Sequence, residues 1–200
     1  MRKFAAALAL LTLAGCNRKP DLVDIQKVDP RIRLDIRYAT ADNFTKQKVY
    51  DEAVCYLRPA VAERLSRVQA ELDRSGLGLK LWDCYRPHSV QRRFWELVPD
   101  DRYVADPAQG SNHNRGAAVD LTLVDAQGKE LPMPTEYDDF TDHAHHSYMD
   151  APNNVKENRE LLLRAMVNQG FVPMPTEWWH YDDPECRRYP ILDLPFAQLR

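Results

Sequence analysis

Ser111-Asn112-His113-Asn114-Arg115-Gly116-Ala117-Ala118-Val119-Asp120 is the stretch on which the fold turns. It sets a histidine in a loop and follows it with small residues that let backbones approach closely. It then delivers an aspartate into Ala117 to Leu123, an apolar run that reads as a buried strand. A second stretch, Glu177-Trp178-Trp179-His180, lies on a last strand that starts at Phe171-Val172.

Working outward, Ile32, Leu34 and Ile36 alternate with Arg33, Asp35 and Arg37, the period of a half-buried strand. Asp42 to Thr45 reads as a loop. A helix starts near Pro59: Val61, Leu65, Val68 and Leu72 draw one apolar face, and Gly76 stands where a helix ends. Leu79 to Trp82 is a short strand running into Asp83-Cys84-Tyr85-Arg86-Pro87. Ser89 to Leu97 and Asn153 to Gln169 are two further helices, the latter stopped by Gly170. Helices between short strands of mixed pattern predict a single α+β domain, a central antiparallel sheet flanked by helices.

Composition agrees with a globular chain of 200 residues: 44% hydrophobic and 28% charged, without repeats or biased tracts. The net charge is −3 and the basic residues are scattered, which argues against a nucleic-acid partner. Residues 1–16 read as a leader rather than as part of the domain. Arg2 and Lys3 precede an apolar run from Phe4 to Leu13, too short to span a bilayer. The run ends in Leu13-Ala14-Gly15-Cys16, which resembles a lipobox with Cys16 as the lipidated residue. The expectation is a periplasmic lipoprotein, with the outer membrane favoured because Asn17 and not aspartate follows the cysteine. The lipid would be its only membrane contact. Residues 17–30, polar with Pro20 and Pro30, read as a tether, and 31–200 as the domain. Outside the cytoplasm, one disulfide among Cys55, Cys84 and Cys186 is expected, Cys55 with Cys84 being the favoured pair.

The chemistry concentrates in the two opening stretches. A catalytic zinc takes three nitrogen or carboxylate ligands and keeps a fourth position open, and His113, Asp120 and His180 would supply that set. Glu177, three residues before His180, is placed to be the carboxylate that takes a proton from water. Each residue alone has a plainer reading: a satisfied histidine, an aspartate cap, a pair of core tryptophans.

The combination is more specific. Ser-x-His-x-x-Gly-x-Ala-x-Asp at 111–120 with Glu-x-x-His at 177–180 resembles the zinc peptidases that include D,D-carboxypeptidases and D-alanyl-D-alanine dipeptidases. Tyr38-Ala39-Thr40, Asp42-Asn43-Phe44-Thr45, Trp82-Asp83-x-Tyr85-Arg86-Pro87, Asp120-Leu121-Thr122-Leu123 and Glu177 to Tyr181 resemble the vancomycin-resistance type of D,D-dipeptidase. The likeness runs from about 25 to 195. It implies a hedgehog/D,D-peptidase-like fold, one zinc per chain on His113, Asp120 and His180, and Glu177 as general base. Arg86 would stabilise the tetrahedral intermediate. Asp138 and Tyr38 would receive the ammonium of a small D,D-dipeptide, with Asp139 the alternative if the alignment slips by one. Ser111 would lie near the substrate carboxylate. Two residues depart from the family pattern, Cys84 and Lys46, each standing where glycine is usual; the first favours a local disulfide. The histidines at 143, 145 and 146 do not add a second metal to this reading. A carboxypeptidase acting on peptidoglycan stems, or a zinc-holding lipoprotein without activity, are the alternatives.

Overall fold

The computed structural model describes residues 21–200. The leader, Cys16 and the first part of the tether lie outside the described residues. The domain begins earlier than the sequence suggests. Val23–Asp24 (β1) pairs antiparallel with Tyr56–Leu57 (β3), and Ile25–Val28 (α1) follows directly. Asp24 caps α1 by accepting from the Gln26 N–H, and Ile25 is fully buried. Residues 21–30, expected as part of a tether, instead belong to the domain: Ile25 and Asp29 are buried, and Leu22 and Val23 pack against the core.

A five-stranded sheet carries the domain, in the order β2 (Arg33–Leu34), β4 (Leu77–Asp83), β5 (Ala118–Asp125), β7 (Glu177–Asp182), β6 (Val172–Met174). The sheet is mixed: β2 runs parallel to β4 and every other pair is antiparallel. The parallel pair arises because the long connection from β2 to β4 passes through β3 and α2 (Pro59–Leu72), leaving room for a crossover. The expected single last strand is a hairpin, β6 and β7, broken at Pro175-Thr176.

Helix α2 begins with Pro59 at its first turn and buries Val61, Leu65, Val68 and Leu72 on one face. A short turn, Asp73–Ser75, then ends at Gly76 with φ 68°. Helix α4 (Asn153–Asn168) packs on α2 and against β5, β6 and β7, and α3 (His88–Leu97) follows the Asp83–Pro87 turn. Trp178 and Trp179 are both buried, Trp178 edge-on to Trp82 with its Nε1–H donated to Thr135. Among the described residues no helix is long and apolar enough to cross a membrane.

Cys55 and Cys84 form a disulfide, and Cys186 is a buried free thiol. The bridge joins the segment before β3 to the turn after β4, where the Tyr85 N–H also donates to the Tyr56 carbonyl. With a sequence separation of 29, removal should cost about 3.5 kcal/mol through the freer unfolded chain. Urea unfolding of Cys55→Ala/Cys84→Ala should show that loss. An unchanged midpoint would mean that the bridge does not stabilise the fold.

Candidate metal centre and active site

The sheet register builds the site. Asp83, Asp120 and His180 stand side by side on β4, β5 and β7, Asp83 opposite Asp120 and Asp120 opposite His180. His113 reaches the same point from the turn before β5. That turn closes at Gly116, whose φ of 67° lets the chain reverse into the strand and whose missing side chain leaves room for Leu22.

His113 Nε2, Asp120 Oδ1 and His180 Nδ1 form a triangle with edges of 3.3, 2.9 and 3.2 Å. Three ligand atoms on one face of a tetrahedron with metal–ligand bonds of ~2.0–2.1 Å would be about 3.3 Å apart. These are the only three-residue metal-capable group among the described residues, and all three are buried. The remaining polar atoms of the triad are each engaged from outside. His113 Nδ1 lies 2.7 Å from the Cys84 carbonyl, which can only accept, so Nδ1 carries the proton and Nε2 presents a lone pair inward. His180 Nε2 donates to Asp182 Oδ1 at 3.0 Å, leaving Nδ1 inward. The Tyr137 hydroxyl donates to Asp120 Oδ2 at 2.8 Å. Two imidazole lone pairs and a carboxylate oxygen converge with no donor of their own, and a divalent cation fits that donor set. Without a cation in the triangle, burial opposes a charged His180, yet Asp182 and Asp120 hold its pKa well above the ordinary value, so a metal ion there takes the place of a proton on Nδ1.

One cavity is lined by all eight candidate residues of the domain: Tyr38, Arg86, Ser111, His113, Asp120, Asp138, Glu177 and His180. Glu177 stands 3.8 Å from His180 Nδ1, and burial pushes its carboxyl up to about 7. Arg86 is buried and fixed. Its Nε and one terminal nitrogen donate to Asp83 Oδ2 at 3.0 and 2.6 Å, and the other terminal nitrogen donates to Gln91 Oε1 at 2.8 Å. Asp83 is itself held by the Tyr50 hydroxyl and the Cys84 N–H. Burial works against the charge on Arg86, but Asp83 more than compensates and the pKa is raised. Ser111 Oγ accepts from the His113 N–H, tying the serine to the metal-facing turn.

At the cavity's other side Asp138 adopts φ 61°, a conformation aspartate tolerates better than most residues. Its carboxylate accepts from the Tyr38 hydroxyl at 3.0 Å and from the Phe44 N–H at 3.1 Å. Burial pushes Asp138 up to about 7. Asp139 does not line this cavity; it accepts from the Thr141 N–H. Lys46 has φ 54°, so its loop keeps the backbone that glycine suits. His143 is stacked on Tyr148.

The same cavity is walled by Phe44, Phe94, Phe140 and Trp179. Asp83, Gln91, Tyr137 and Asp182 support the site residues, and none of them is given a role by the sequence alone, although Asp83 stands in the motif that carries Arg86. Asp182 too has a local signal: two residues after His180 on a strand, it shares the same face.

The chain is 37% identical over 177 residues to the D-alanyl-D-alanine dipeptidase of Escherichia coli strain K12, covering 88% of this chain and 92% of that protein. It is 32% identical over 188 residues to the enzyme of the same name from Enterococcus faecium, covering 82% and 92%. A family model described as D-ala-D-ala dipeptidase matches residues 18–197. The chain belongs to this peptidase family. A D-alanyl-D-alanine dipeptidase of Streptomyces coelicolor, 33% identical over 201 residues and covering 88% and 98%, extends the same relationship. As a member of the dipeptidase family, the chain carries the three buried metal-capable residues in the cavity that also holds Arg86, Asp138 and Glu177.

Proposed function

We propose that the protein is a zinc dipeptidase that hydrolyses D-alanyl-D-alanine and close relatives to free D-amino acids. The observation that carries this reading is the meeting, in one cavity, of the His113–Asp120–His180 triangle with the Asp138 carboxylate. Zinc held by the triangle would supply Lewis acidity toward the scissile carbonyl and acidify the attacking water.

The protein's own groups do the rest. Asp138, with Tyr38 behind it, receives the substrate ammonium. The Tyr38 hydroxyl and the Phe44 N–H hold that carboxylate in place. A peptide lacking that ammonium would bury Asp138 without a partner, so the carboxylate gauges length. Ser111 stands toward the carboxylate end of the dipeptide. Glu177 takes the proton from the water as its oxygen bonds to the carbonyl carbon. The proton then passes to the leaving nitrogen as the C–N bond breaks. A carboxyl poised near neutrality suits both transfers. Arg86, anchored through Asp83 and Gln91, keeps N–H groups free to meet the oxyanion without reorganising.

The test is metal removal and return. Chelator-treated protein should release no D-alanine from D-alanyl-D-alanine, and activity should rise with added zinc to a plateau at one equivalent per chain. Full activity in verified metal-free protein would refute the zinc reading.

A further inference from the structure

The three metal-facing residues are not supported alike. His113 gives its outer proton to the neutral Cys84 carbonyl, and Asp120 accepts from the neutral Tyr137 phenol. Of the two histidines, only His180 has a carboxylate hydrogen-bonded to its outer nitrogen, Asp182 Oδ1 at 3.0 Å from Nε2. Asp83 is 3.6 Å from His113 Nδ1, beyond hydrogen-bond reach, and is committed to Arg86.

Asp182 also takes a side-chain hydrogen bond from the neutral Asn112, and among the described residues its one charged partner is His180. It is paired across the sheet with Ala118 on β5 and Val172 on β6, neither of which offers a charge. Among the described residues, the only cationic group within 4 Å is the His180 ring. Its side chain is 21% exposed, so the contact with the imidazole is largely shielded from solvent.

We propose that Asp182 is the positioning residue of the metal centre, acting through His180. It fixes the ring with Nδ1 inward, and its negative charge raises the electron-donating power of that nitrogen. Resting on the zinc reading above, the inference adds that affinity for the metal is set from outside the ligand triangle, through one histidine. Carboxylates behind metal-bound imidazoles contribute roughly 10- to 100-fold in metal affinity or activity.

The experiment compares parent, Asp182→Ala, Asp182→Asn and His113→Ala by competition for zinc against a chromophoric chelator. Visible spectra of the cobalt-substituted proteins and thermal melting accompany it. Asp182→Ala should bind zinc about 10- to 100-fold more weakly, shift the cobalt bands, and recover much of its kcat in excess zinc. Asp182→Asn keeps the shape and an acceptor oxygen but loses the charge, so its affinity should fall between the two. It serves as the variant of record if the alanine protein does not fold. Zinc affinity and cobalt spectra matching the parent's in folded Asp182 variants would overturn this inference alone. A parent that takes up no more zinc than His113→Ala would overturn it together with the zinc reading.

Discussion

Glu177→Ala should lower kcat for D-alanyl-D-alanine by roughly 10²- to 10⁴-fold, the range expected when a positioned general base is removed. Zinc content should stay at one equivalent, because Glu177 lies outside the ligand triangle, 3.8 Å from the nearest ligand atom. The separation of the two effects is the informative part. Steady-state D-alanine release and metal analysis on the same preparation measure both. Loss of zinc with loss of activity would make Glu177 a ligand or a scaffold for one. Retention of kcat would assign the proton transfer to another group.

Asp138→Asn should raise KM for the free dipeptide by about 10²- to 10³-fold, as expected when one partner of a buried charge pair is removed. Its stability should move the other way. Burial holds the Asp138 carboxyl near 7, above its value in an unfolded chain. The folded state therefore disfavours the ionised form; the cost is present above pH 7 and is relieved as pH falls through that value. The asparagine variant has no such charge to bury, so at pH 8 it should melt no lower than the parent. The parent's kcat/KM should decline as pH drops through 7, since protonation of Asp138 removes the charge that meets the ammonium. A variant that keeps the parent's KM would remove Asp138 from substrate recognition.

How much of this was legible in the sequence differs from element to element. The apolar stripe Val61–Leu65–Val68–Leu72 specified a helix because its burial follows one face of a regular period. His113, Asp120 and His180 were legible because a histidine after a serine turn, an aspartate two residues into a strand and a Glu-x-x-His stretch form an ordered pattern. The Cys55–Cys84 bridge was expected and is present. The start of the domain was not legible, since its two buried residues, Ile25 and Asp29, are too few to set a helix or strand period. The parallel β2–β4 pair was also hidden, because two-residue strands carry no directional pattern. The final strand was read as one because nothing in Val172 to Met174 distinguishes it from its hairpin partner before Pro175-Thr176 turns the chain. Supporting residues were the hardest to see. Tyr137 meets Asp120 from 17 positions away, and Asp83 grips Arg86 only because the chain turns sharply after β4.

The most direct test of the account is D-alanine release by the zinc-loaded domain from D-alanyl-D-alanine and from its N-acetylated analogue, measured side by side. The free dipeptide should be hydrolysed and the acetylated one, which brings no ammonium to Asp138, should be cut at least about 10²-fold more slowly. Comparable hydrolysis of both would contradict the dipeptidase reading and make the enzyme a carboxypeptidase instead.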